Sequence, residues 1–154
     1  MKIKSTVKLI IAISIPLIAG FIGSYFTMPA ISNWYADLIK PTLNPPNWIF
    51  APVWTTLYIL MGISFFLIWQ KGKNYLPLSV FGIQMLLNTT WSILFFGVQR
   101  LDFAFLNIVL LWFMIILTMI LFFRISKVAM YLLIPYVLWV SFAGYLNLTI
   151  WILN

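Results

Sequence analysis

The chain contains no histidine, no cysteine and no glutamate, so its capacity for chemistry rests on aromatic rings and side-chain amides. Trp54 and Tyr58 stand four residues apart, which places them on one helix face. Gln84, Asn88, Trp91 and Phe95 follow a four-three-four spacing, and Trp139, Ala143 and Asn147 repeat the interval of four. Flat rings beside amides suit the stacking and edge-wise hydrogen bonding of a planar molecule. The bland alternative is that Asn88 and Asn147 bond to each other and hold two helices together. Ala143 lies between Trp139 and Asn147, where its small side chain either admits a neighbouring helix or leaves room for a ligand.

Much other chemistry is excluded by inventory. A Ser-His-Asp or Cys-His arrangement cannot be built without histidine, and the commonest ligands for zinc, haem and copper are missing. The only acids, Asp37 and Asp102, fall at segment ends, so no buried carboxylate is available for acid–base work or a proton relay. A proton-driven multidrug antiporter is disfavoured for the same reason. No catalytic and no metal-binding residue is assigned.

The elements that must position these groups are membrane helices. The chain is 64% hydrophobic and 7% charged, against roughly 25% charged in soluble domains. Its few charges divide it into apolar intervals, each long enough for the roughly 20 residues that cross a bilayer. Long apolar runs without strand-like alternation must be helical in lipid. We read five spans, near residues 9–28, 49–70, 76–98, 103–123 and 129–152. The expected architecture is therefore an all-α bundle of five transmembrane helices, in one domain over residues 1–154.

Basic residues orient it. With the N-terminus inside, Lys2, Lys4, Lys8, Lys71, Lys73, Arg124 and Lys127 share the inner side, and only Lys40 and Arg100 lie outside. The expectation is an integral membrane protein of a bacterial cell membrane with a cytoplasmic N-terminus. The net charge of +7 then reflects topology and anionic head groups rather than nucleic-acid binding.

Prolines 41, 45, 46 and 52 stiffen the loop ahead of Trp54, and Pro77 and Pro135 suit the first turns of helices. Gly72 suits a turn. Ala19, Gly20, Gly23 and Ser24 form a small-residue packing face. Trp34, Tyr35, Trp48, Trp69, Tyr75 and Trp151 fall near span ends, where a membrane-interface belt accounts for most of them. Trp112 lies mid-span with no polar neighbour on its own face and is read as packing or lipid-facing.

Four motifs in order carry a family resemblance: W-Y-x-x-L-x-K-P at residues 34–41, P-P-x-W-x-F-x-P-V-W-x-x-L-Y at 45–58, N-x-x-W-x-x-x-F-F at 88–96, and P-Y-x-x-W-x-x-x-A-x-x-L-N at 135–147. The chain resembles the TspO/MBR family of tryptophan-rich sensory proteins, over essentially its whole length. The resemblance implies a five-helix bundle whose pocket opens towards the first loop and takes porphyrins such as protoporphyrin IX. By motif position, ligand-binding residues would be Tyr35, Trp54, Tyr58, Asn88, Trp91, Trp139, Ala143 and Asn147. It also implies a homodimer. The sterol motif of animal members needs a base after its tyrosine, whereas Tyr145 is followed by none.

The leading functional reading is thus a membrane receptor or carrier for a tetrapyrrole or another planar hydrophobic molecule, with no required cofactor. Light-dependent porphyrin degradation and a non-catalytic scaffold or sensor partner are the alternatives.

Overall fold

The computed structural model describes residues 4–72 and 75–154; Lys2 and Lys73 of the orientation argument lie outside them. Among the described residues every regular element is helical. Helix α1 covers Ser5–Ile31, a short α2 covers Trp34–Asp37, and a 3-10 turn at Asn47–Ile49 leads into α3, Phe50–Lys71. Then come α4 (Leu76–Ser92), α5 (Leu101–Phe123), a one-turn α6 (Lys127–Tyr131) and α7 (Ile134–Leu153).

Five segments are long and apolar enough to cross a membrane: Ser5–Ile31, Asn47–Lys71, Leu76–Gly97, Leu101–Phe123 and Lys127–Leu153. At about 1.5 Å per residue each exceeds the roughly 30 Å hydrocarbon core. Their outward faces carry large bare apolar side chains such as Phe21, Leu86, Phe113 and Leu138, as suits a surface set in lipid. The chain is an integral membrane protein.

Besides the 3-10 turn that opens the second span, the spans depart from uniform α-helices in two places. The third ends in a π-helical turn, Ile93–Gly97, closed by Val98 N–H to the Ile93 carbonyl at 2.7 Å. Gln99 follows at φ 59°, a left-handed conformation uncommon away from glycine. The fifth span breaks between α6 and α7, and Pro135 begins α7 rather than the span itself. Proline has no N–H to give the preceding turn, so the chain restarts its helix there. Gly72 takes φ 57° at the end of α3, as a left-handed cap requires.

The helices form a ring in the order α7, α5, α4, α1, α3, and the contact that would close it, α3 with α7, is the sparsest. The small-residue face of α1 turns inward, as expected: a methyl group at Gly20 would collide with the Tyr58 ring. The main core runs down the ring's axis from Tyr136, Val140 and Leu57 to Phe81 and Phe122. A second core sits at the first-loop end, built from Tyr35, Phe95, Ala104 and Ile150. The first loop is tied to the end of α7, where Ile39 N–H donates to Asn154 Oδ1 at 2.9 Å and Asn154 Nδ2 donates back to the Ile39 carbonyl at 3.0 Å.

The belt reading holds for Trp48 and Tyr75, which are largely exposed, while Tyr35 is buried and Trp34 packs edge-on against Phe95 at 5.8 Å. Trp112 packs against the main core, as one of its two readings had it, and it also makes a polar bond. Its indole N–H donates to Ser141 Oγ at 2.8 Å, so it is a polar tie between α5 and α7. The partner comes from another helix and could not be seen on its own face.

Candidate functional site

The site is built on the inward faces of α3, α4 and α7. Trp54 stacks on Tyr58, one turn further along α3, with centroids 5.5 Å apart and planes at 25°. It also meets Tyr136 of α7 edge-on at 6.4 Å. Below the rings, the Tyr58 hydroxyl donates to Asn88 Oδ1 at 2.9 Å, and Asn88 Nδ2 donates to the Tyr136 hydroxyl at 3.0 Å. One amide therefore clamps two phenols from two other helices. Asn88 is 3% exposed, so these bonds form where no bulk water competes.

A second clamp lies towards the first loop. The Trp91 indole N–H donates to Asn147 Oδ1 at 3.0 Å, and Asn147 Nδ2 donates to the Leu101 carbonyl at 2.9 Å. That carbonyl belongs to the first turn of α5, so the bond joins α4, α5 and α7. Trp91 also lies 5.2 Å from Phe95 and is packed against both cores, so it joins them. Neither asparagine bonds to the other. The interhelical role expected of them is real, but each takes aromatic partners.

Tyr35 stands apart from Trp54 and Tyr58. It packs against Phe95 and Phe96 at 6.2 and 5.6 Å, and Lys40 Nζ lies 4.8 Å over its ring. Its hydroxyl donates to Asn44 Oδ1 at 2.9 Å. Burial pushes the phenol's pKa above its ordinary value, and the Asn44 bond opposes that shift only in part.

Trp139 faces the gap in the ring. A groove of about 630 Å³ runs between α3 and α7, lined by Pro52, Val53, Leu57, Leu138, Trp139 and Phe142 among others. Phe50 meets Trp139 near edge-on at 6.1 Å. The Trp139 indole nitrogen is buried and has no hydrogen-bond partner in the chain. Ala143, one turn on, is buried at 9% exposure within the main core and is absent from the groove's lining.

The structure thus brings Trp54, Tyr58 and Asn88 together, joins Trp91 to Asn147, sets Trp139 on the groove, and holds Tyr35 in the loop-end core. Tyr136 was missed by sequence reasoning. Its signal was present, since Tyr136, Val140 and Ala143 share a four-three spacing and all three are buried. Asn107 was missed too; its Nδ2 donates to the Leu87 carbonyl at 2.8 Å and ties α5 to α4.

This is the architecture of a small polytopic membrane protein with an aromatic and amide-lined interior. The model of the TspO/MBR family matches residues 12–152. The chain is 46% identical to the tryptophan-rich protein TspO of Chlorobaculum tepidum, over 98% of each chain. It is 34% identical to the translocator protein of Homo sapiens, over 88% of this chain and 83% of that one. To the tryptophan-rich sensory protein of Cereibacter sphaeroides it is 35% identical, over 75% of this chain and 73% of the relative. The chain belongs to the TspO/MBR family.

Proposed function

We propose that this protein is a membrane receptor or carrier, not an enzyme, for a planar hydrophobic ligand of the tetrapyrrole class, with metal-free protoporphyrin IX the first candidate. The observation that carries this reading is Trp139. It lines an apolar groove open between α3 and α7, and its buried indole N–H has no partner in the chain. A ring face flanked by Phe50 and Phe142 offers stacking worth about 0.5–1.5 kcal/mol per aromatic contact beyond area burial. The N–H is buried in the ligand-free bundle, and a small turn of the ring towards the groove would offer it as a donor to a ligand's pyrrole nitrogen or carboxylate.

In this reading the ligand meets Trp139 at the groove and reaches inward to Trp54, Tyr58, Trp91 and Ala143, which lie behind the groove's lining, while Tyr35 covers it from the loop. Asn88 and Asn147 act chiefly by fixing the rings they bond. With no histidine for axial ligation, a metal-free porphyrin binds better than haem. The names of relatives, a translocator and a sensory protein, fit a binding role. The finer features we propose with it are a single domain over residues 1–154, a bacterial cell membrane, a cytoplasmic N-terminus and a homodimer.

Quenching of tryptophan emission by protoporphyrin IX tests it, with Trp139→Phe and Trp54→Ala alongside. Both variants should bind at least several-fold more weakly, and ferric haem should bind less well than the free porphyrin. Equal affinity in all three proteins would end the proposal.

A further inference from the structure

Gln84 is a buried polar group that no interaction so far accounts for. It lies in α4 with 0% of its surface exposed, and neither its amide oxygen nor its amide nitrogen has a hydrogen-bond partner in the chain. A primary amide carries two donor hydrogens and two acceptor lone pairs. Holding one bare in an apolar interior is costly, and native proteins satisfy such groups with protein partners or with ordered water.

The layers on either side of Gln84 locate the partner. Three residues towards the N-terminal end of α4, Phe81 is packed against Phe65 at 4.9 Å and against Phe122 at 6.0 Å, and these rings supply no polar atom. One turn the other way stands Asn88, whose oxygen receives the Tyr58 hydroxyl and whose nitrogen donates to the Tyr136 oxygen. Each polar atom of the Asn88 amide thus already has one partner, as neither atom of Gln84 does. The Tyr136 hydroxyl accepts that bond, and among the described residues its own proton meets no acceptor. Tyr136 is itself 0% exposed. Two unmet needs, an amide and a hydroxyl proton, thus flank the same turn of α4. Residues four apart are separated by about 6 Å along a helix. Two hydrogen bonds of about 2.8 Å meeting at one water oxygen span about 4.5 Å, so the flexible Gln84 side chain must reach part of the way towards Asn88 and its Tyr136 partner.

We propose that Gln84 and Tyr136 form a buried water-binding site, in which one water accepts the Tyr136 proton and donates to Gln84 Oε1. The site lies beneath the Tyr58–Asn88–Tyr136 cluster and extends its polar network one turn deeper into the bundle. By fixing the Tyr136 rotor it also holds the ring that Trp54 meets edge-on.

The test uses the full chain, labelled with nitrogen-15 and free of porphyrin, in micelles. Failure here is therefore distinct from failure of the porphyrin reading. Water-to-amide cross-relaxation should give a cross-peak at the Gln84 side-chain NH2, assigned by its loss in Gln84→Met. Tyr58→Phe should leave the cross-peak in place, because Tyr58 donates into Asn88 and not into this site; Tyr136→Phe should abolish it or reduce it severalfold. Gln84→Met, close in volume but apolar, should lower the melting temperature by removing the water's partner. No water cross-peak in the parent protein would overturn the proposal whatever the variants do, and a raised melting temperature for Gln84→Met would mark the amide as truly bare. A cross-peak unchanged by Tyr136→Phe would overturn the pairing with Tyr136.

Discussion

Trp91 and Asn147 are 56 positions apart in sequence, yet the indole N–H of one donates to the side-chain oxygen of the other at 3.0 Å, and the same amide's nitrogen reaches the Leu101 carbonyl. A single buried side chain thereby fixes the rotation of α4 and α7 about their axes and anchors the start of α5. The Trp91 ring takes its direction from this tie.

Asn147→Leu should lose about 1–2 kcal/mol of stability, because it strands one indole N–H and removes one carbonyl bond where hydrogen bonds average about 0.6 kcal/mol and reach about 1.7. The double variant with Trp91→Phe should be less destabilised than the sum of the singles, since neither partner is then left orphaned. Thermal unfolding of the four proteins measures the coupling. Strict additivity would show that the bond contributes nothing.

Ala143 is buried in the main core one turn from Trp139, so Ala143→Phe should both overpack and close the space beside that ring. A loss of about 1–3 kcal/mol and a large drop in protoporphyrin affinity are expected together. Ala143→Ser, which adds one atom, should change affinity little. Full porphyrin affinity in a normally folded Ala143→Phe protein would move the ligand elsewhere.

The Tyr35 phenol titrates above its ordinary value near 10 because burial disfavours the phenolate. Its folded pKa is raised, so its contribution to stability is complete below the unfolded value and is lost as pH rises through the folded one. The packing of residues 34–44 should therefore loosen above about pH 10. Proteolysis of the first loop followed across that range should accelerate in the parent protein, and Tyr35→Phe should flatten the part due to this group. An identical profile in the variant would assign the alkaline change to other groups.

Orientation follows from the bias of basic residues. Thr42→Cys, in the exposed first loop, should react with an impermeant maleimide in intact cells, whereas Arg124→Cys, between α5 and α6, should react only after permeabilisation. The reverse pattern would invert the topology and the side from which ligand arrives.

Much of the architecture was legible in the residues. Apolar intervals bounded by rare charges gave the five spans, because hydrocarbon tolerates neither charge nor unpaired backbone. The face shared by Gln84, Asn88, Trp91 and Phe95 is turned inward as its spacing implied, since three of the four are buried outright and Trp91 packs on both cores. Helical periodicity is a local property, fixed by 3.6 residues per turn, and it reads without knowledge of any neighbour.

Partner choice is not local, and there only the tertiary structure could decide. Asn88 pairs with Tyr58 and Tyr136 rather than with Asn147, Trp112 finds Ser141, and Tyr35 packs on Phe95 and Phe96 rather than beside Trp54. Each outcome depends on how helices distant in sequence are staggered and rotated against one another. Those adjustments are set by close contacts such as Gly20 with Tyr58, by the π-helical turn at Ile93–Gly97 and by the restart at Pro135. A π-turn swings every following side chain about the axis and has no composition that announces it. The groove beside Trp139 is likewise a property of the assembled ring, since it lies between α3 and α7, whose backbones approach each other least among neighbours in the ring.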